Sequence, residues 1–147
     1  MIYQLTYTSE AIKTLADDDI YAILKSSEQN NHQLKISGCL LLYNQKFYQI
    51  LEGNEAHVLE LYEQIKHDPR HYNVTLTATS YAKEPLYKDW GMIFQDVNTS
   101  TTDPEDVQQF ERTLLMLESL TEKTTESEIW FWREIKKELV TKKVITH

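Results

Sequence analysis

At 147 residues the chain has room for one domain with a real core, because a protein of that size buries roughly 70% of its unfolded surface. Hydrophobic residues at 41% and charged residues at 26% are ordinary globular values, and Gly 3, Pro 3 and Cys 1 exclude collagen-like, low-complexity and disulfide-framed chains. Lys+Arg 15 against Asp+Glu 23 leaves a net charge of −8, which argues against nucleic acid held by its phosphate backbone.

The first residues, Met1-Ile2-Tyr3-Gln4, carry no basic n-region ahead of an apolar stretch. No apolar run approaches the ~20 residues that span a bilayer. A cytoplasmic, reduced setting without membrane contact is expected. Residues 2–9 alternate, with Tyr3, Leu5 and Tyr7 on one face, and predict a strand. Residues 17–30 open on Asp17-Asp18-Asp19, favourable at a helix N-terminus, and Ile20, Ile23, Leu24 and Ser27 recur at helical spacing. Asn30-Asn31-His32 is expected to end that helix or to follow it closely. The near-continuous apolar run 35–43 predicts a buried strand, Asn44-Gln45 a short hairpin turn, and 46–52 a third strand with Phe47, Gln49 and Leu51 on one face.

After Gly53-Asn54, residues Val58, Leu59, Tyr62 and Ile65 mark an amphipathic helix that Asp68-Pro69-Arg70-His71 breaks. Residues 73–82 alternate and are rich in β-branched side chains, predicting a strand, and 87–95 a fifth, with Trp90, Met92 and Phe94 on one face. The order β-α-β-β-α-β matches the split βαβ, ferredoxin-like pattern, in which the first and third strands are expected to be parallel neighbours. Asp103-Pro104 starts a helix with stripe Val107, Phe110, Leu114 and Leu117. Thr125-Glu126-Ser127-Glu128 fits a capping box, followed by Ile129, Trp132, Lys136 and Leu139 on a last helix. The expected fold is therefore α+β: a ferredoxin-like five-stranded mixed sheet with two helices on one face, plus two C-terminal helices. Residues 1–97 form the core and 98–147 a helical extension packed on it or on a neighbour.

Gln49 stands out, because strand period sets it between Phe47 and Leu51 on a face that should be apolar. A buried amide without partners costs ~1–3 kcal/mol, so it needs a hydrogen bond, to a backbone edge, to water on a wet face, or to a side chain. Tyr7 reads as a core tyrosine with its hydroxyl at the rim, or as the neighbour that meets Gln49. Asn30 and Asn31 read as a helix cap, or as donors and acceptors for the edge of a planar heterocycle. Asp68, Arg70 and His71 read as a solvated turn, or as a phosphate holder through the guanidinium. Cys39 lies mid-strand and reads as a small core residue. The five His lack metal-site spacing, so no metal is expected, and neither GxGxxG nor GxxxxGK[ST] occurs.

Taken together, these residues resemble the BLUF family, blue-light sensors using flavin. The segments that carry the resemblance are Leu5-Thr6-Tyr7-Thr8-Ser9, Ile23-Leu24-Lys25-Ser26-Ser27 with Asn30-Asn31, and Ile36-Ser37-Gly38-Cys39-Leu40-Leu41-Leu42-Tyr43. They continue with Phe47-Tyr48-Gln49-Ile50-Leu51-Glu52-Gly53, Asp68-Pro69-Arg70-His71 and Asp89-Trp90-Gly91-Met92, in the family's order and spacing from residue 2 to about 95. The resemblance implies an oxidised flavin held non-covalently between the two helices: FAD, with FMN or riboflavin able to share the pocket. It implies that Tyr7 donates an electron and a proton to the excited ring and that Gln49 hydrogen-bonds both tyrosine and flavin. Asn31, helped by Asn30, would bind the pyrimidine edge. Ile23, Ser27 and Ile65 would wall the pocket, and Asp68, Arg70 and His71 would lie near the ribityl phosphate. Trp90 and Met92 would be the fifth-strand pair that responds to Gln49 and leads into the C-terminal helices. Lys83-Glu84-Pro85-Leu86-Tyr87 lacks an arginine that this connection often carries in the family, and Cys39 replaces a more usual aliphatic residue.

The roughly 50 residues after 97 are too few for a cyclase or phosphodiesterase output domain, so the chain is expected to resemble the short, stand-alone members. Those are not enzymes, and they signal by changed contacts with a downstream protein. A homo-oligomer is also expected. Trp130 and Phe131 fall off the last helix's predicted stripe, suiting an interface unless the helix is wrapped on two sides. Two alternatives compete. One is an acylphosphatase-type hydrolase using Arg70 and Asn31, although Thr8-Ser9-Glu10-Ala11 lacks the glycine-rich anion loop it needs. The other is an interaction module whose pocket is a filled core.

Overall fold

The computed structural model describes residues 1–87, 92–97, 104–121 and 123–145. The elements run β1 Ile2–Ala11, α1 Asp17–Leu34, β2 Ser37–Tyr43, β3 Lys46–Gly53, α2 Glu55–Lys66, β4 His71–Ala82, β5 Met92–Val97, α3 Pro104–Leu120 and α4 Glu126–Ile145. The strands lie in the order β4-β1-β3-β2-β5. The first four are antiparallel throughout, and β5 joins β2 in parallel.

The expected parallel pairing of β1 with β3 is overturned: the two are antiparallel, with Tyr7 opposite Gln49. The reason is geometric. Residues 44 and 45 close a two-residue hairpin, with positive φ of 50° and 69°, which reverses β3 against β2. The α1 crossover returns β2 parallel to β1, so β3, inserted between them, opposes both.

α1 opens with Asp19 accepting from the Ala16 backbone N–H at 2.9 Å. It does not stop at Asn30-Asn31 but continues to Leu34, and Lys35 terminates it in the left-handed region at φ 53°. The asparagines are weak helix formers, yet propensity differences of a few tenths of a kcal/mol do not end a helix whose next turn still packs. Leu34 does so, against the α2-side core.

Both faces of the sheet are covered. On one face Tyr3, Leu5, Tyr7 and Leu51 pack with Val58, Leu61 and Tyr62 of α2, and Leu40, Leu42 and Phe47 pack with Ile20 and Ile23 of α1. On the other, Cys39, Leu41, Tyr43, Tyr48 and Ile50 pack with Leu114 of α3 and with Phe131, Trp132, Ile135 and Leu139 of α4. The two C-terminal helices therefore close the second face. The capping box at α4 forms as the sequence suggests: Thr125 Oγ1 accepts from Glu128 N at 3.2 Å and Glu128 Oε1 accepts from Thr125 N at 3.3 Å.

The stripe of α4 differs from expectation. Phe131 is buried beside Trp132, whereas Ile129 is 45% exposed, because Glu128, a charged residue, sits on the buried side and rotates the face. Trp132 Nε1 donates to Tyr87 Oη at 3.0 Å. Tyr87, expected to open the fifth strand, instead lies in the connection before it, fully buried, with its N–H donated to Glu52 Oε2 at 3.1 Å. Strand β5 accordingly starts later, at Met92 opposite Gly38.

The edge strand β4, His71–Ala82, contains no Asp, Glu, Lys or Arg. Its pairing with β1 slips twice, between Thr6 and Tyr7 and between Thr8 and Glu10, each time with an extra residue on β4. Thr77 occupies the first bulge and donates its hydroxyl to Thr6 O at 2.9 Å. Asn73, at φ 53°, lies in the second, with its side-chain amide on Glu10 at 2.6 Å.

Candidate functional site

Tyr7 and Gln49 are directly opposed on two adjacent inner strands, β1 and β3, facing the α1/α2 side. Opposed residues of an antiparallel pair bring their Cβ atoms to about 5 Å, close enough for a phenol and a carboxamide to meet. Tyr7 Oη donates to Gln49 Oε1, and both side chains are only 3% exposed. Burial, foremost, with Tyr62 and Asp68 nearby, drives the Tyr7 phenol well above the usual tyrosine range, so it stays protonated and remains a donor. The Tyr62 ring lies 5.6 Å from the Tyr7 ring, and that of His71 6.4 Å.

The pair opens into a cavity of about 310 Å³ between α1 and α2, at the small end of the range for ligand pockets. Ile23, Ile36, Leu40, Phe47, Leu61 and Ile65 supply apolar walls, and Tyr7, Gln49, Gln29, Gln64 and the Asp68-Arg70-His71 turn supply polar groups. Apolar walls with an amide and a phenol at one side suit a heterocycle whose edge carries carbonyl and N–H groups.

The turn after α2 is built internally. Asp68 accepts from Arg70 Nε at 2.8 and 3.0 Å, from Arg70 Nη2, and from the Arg70 backbone N–H at 2.9 Å. Those side-chain bonds, first, hold the Asp68 carboxyl below the usual aspartate range and raise Arg70. Arg70 Nη1 reaches the Asp19 carbonyl at 3.4 Å and so ties the turn to the start of α1. His71 is held at both nitrogens. Nε2–H donates to Ile65 O at 2.5 Å, which leaves Nδ1 beside the Ser9 hydroxyl at 2.7 Å.

Of the residues singled out from the sequence, Tyr7, Gln49, Ile23, Ile65, Asp68, Arg70 and His71 line this one cavity. Ser27, Asn30 and Asn31 lie on α1, and their side chains fall outside the described part of the structure. Trp90 lies outside the described residues, and Met92 is placed by its backbone alone, as the first residue of β5. Sequence reasoning missed Ser26, Gln29, Ile36, Leu40, Phe47, Leu61 and Gln64, which also line the cavity. Spacing held the signal for some of them: Leu61, Gln64 and Ile65 share one helical face, and Leu40 is the register partner of Gln49. Among the described residues no group of His, Cys, Asp and Glu gathers as metal ligands, and no helix is long and apolar enough to cross a membrane.

Comparison with known proteins agrees with this geometry. Residues 2–93 match the BLUF family, described as sensors of blue-light using FAD. The photoactivated adenylate cyclase subunit beta of Euglena gracilis is 38% identical over 87 residues, 58% of this chain and 10% of that protein. The blue light- and temperature-regulated antirepressor BluF of Escherichia coli K12 is 31% identical over 107 residues, 70% of this chain and 26% of that protein. The chain thus spans between a tenth and about a quarter of these curated relatives. The structure of BlsA in its photo-activated state superposes with a TM-score of 0.64 at 26% identity, covering 84% of this chain and 99% of that one. With its matched segment running from the first strand to the start of the fifth, the chain belongs to the BLUF family of flavin-binding blue-light sensors.

Proposed function

We propose that this chain senses blue light through FAD bound in the cavity between α1 and α2, with Tyr7 and Gln49 as the photochemical pair. The hydrogen bond from the buried Tyr7 phenol to Gln49, at the wall of that cavity, carries the reading. When bound, an oxidised flavin supplies a blue-absorbing ring that becomes a strong oxidant on excitation. Tyr7 would give up an electron, and its phenolic proton points at Gln49 Oε1. The electron would go to the excited ring and the proton would follow through the Gln49 carboxamide; both would come back to Tyr7 in the return step, leaving Gln49 turned or in its other amide tautomer, with a different group offered to the cavity. The outcome is an altered set of hydrogen bonds with no lasting covalent change. Ile23, Ser27 and Ile65 would wall the ring, and Asn31 with Asn30 would meet its pyrimidine edge. Asp68, Arg70 and His71 would close the end nearest the ribityl phosphate.

Residues 1–97 would form the sensor and 98–147 an extension that carries its state outward. Trp90 and Met92 would respond to Gln49, and the output would be an altered contact with a signalling protein, in a homo-oligomer, without turnover of a substrate. The hydrolase alternative is not favoured, because Asp68 already engages the Arg70 guanidinium that an anion would need. Purified protein should be yellow, should shift its absorption to the red under blue light and revert in the dark, and should release FAD on denaturation, identified by mass. A folded, colourless protein that takes up no flavin overturns the proposal.

A further inference from the structure

On the face of the sheet opposite the cavity, Gln4 is fully buried and holds the start of α4 by both ends of its amide. Its Nε2 donates to Glu128 Oε2 at 2.6 Å, and its Oε1 accepts from Thr125 Oγ1 at 2.6 Å. The other Glu128 oxygen accepts from the backbone N–H groups of Thr124 at 2.9 Å and Thr125 at 3.3 Å. Ser127 completes the contact, its N–H donating to Ser80 Oγ on β4 at 2.8 Å. The Gln4 amide and the Thr124 and Thr125 N–H groups are neutral donors to the Glu128 carboxylate, so the contact depends on direction, not on a countercharge. Turning the Gln4 amide over would set Oε1 against the carboxylate, which fixes its orientation.

The placement of this latch is what gives it a role. Gln4 and Tyr7 share β1, three residues apart on opposite faces, and their partners on β3 are Glu52 and Gln49. Glu52 in turn holds the N–H groups of Leu86 and Tyr87, both at 3.1 Å, ahead of β5. Any shift of β1 against β3 that follows a change at Tyr7–Gln49 displaces Gln4, and hydrogen bonds weaken steeply with misalignment. We propose that Gln4 is a positioning residue that couples the Tyr7–Gln49 contact to the docking of α4 on the sheet. This rests on the sensor reading above.

The test is amide hydrogen exchange across residues 126–139 of the full, flavin-loaded chain, in the dark and under blue light. Wild-type protein should exchange about ten-fold faster there in the light, the loss expected when one buried hydrogen bond to a charged group is broken. Gln4→Leu should exchange fast in both conditions while its spectral shift persists. Gln4→Glu should also lose protection, and the exchanged pair Gln4→Glu/Glu128→Gln should regain both dark protection and the light response. If Gln4→Glu fails to fold, Gln4→Leu and the exchanged pair still decide. Protection of α4 that ignores light in a protein with a normal spectral shift overturns the coupling. So does Gln4→Leu with undiminished dark protection, or an exchanged pair that regains nothing. Wild-type protein that shows no colour or no shift overturns the sensor reading and this proposal with it.

Discussion

At the scale of single residues, the site works because two polar side chains are kept out of water and aimed at each other. Tyr7→Phe removes the phenolic hydroxyl and keeps the ring's packing. It should abolish the light-induced shift while flavin stays bound, at a stability cost of about 1 kcal/mol, read from an illuminated difference spectrum and urea unfolding. Burial also sets an alkaline limit. The phenols of Tyr7, Tyr48 and Tyr87 all lie above the usual range, chiefly through desolvation, and the Cys39 thiol is pushed up to about 12. A folded-state value above the unfolded one means that the native state binds more protons in between, so stability is intact below the unfolded value and falls as pH rises past it. Each phenol should remove about 1.4 kcal/mol per pH unit above pH ~10, with the thiol contributing from about pH 8.5, so Tm should drop steeply across that window.

Among the elements, how much the residues reveal depends on whether their partner is near in sequence. The βαββαβ order, the 44–45 hairpin and the α4 capping box each rest on local periodicity or turn chemistry, and each is present. Gln49 was identifiable as an anomaly because its period placed an amide among Phe47 and Leu51. Gln4 was not, because an alternating strand with one polar face reads equally well as half exposed, and its partners lie 121 and 124 residues away. The relative direction of β1 and β3 is likewise a property of the crossover, not of either strand's composition. Close approach gives a sharper test of this packing. A Cβ at Gly38 on β2 would lie 2.0 Å from Ile50 O of β3, backbone that cannot yield. Gly38→Ala should therefore cost about 3 kcal/mol or more by urea unfolding.

For the molecule as a whole, the sheet is an inner layer with a ligand-sized cavity on one side and a helical cover on the other. The cover is anchored by Trp132, 2% exposed and bonded to Tyr87. Trp132→Ala should cost about 3–5 kcal/mol in unfolding experiments, yet leave the spectral shift in place, because the photochemical pair faces the other way. Solubility depends on the rim. A chain of net charge −8 places twelve residues with no Asp, Glu, Lys or Arg among them on an outer strand, where charge is the usual protection. Its safeguard is mechanical: two kinks interrupt the row of outward amides, so an arriving strand would find its rungs out of step. Deleting Thr77 should straighten the upper half of that row. The shortened protein should then assemble with rising concentration, visible as thioflavin-positive fibres, while a Thr77→Ser chain that keeps the kink stays dispersed.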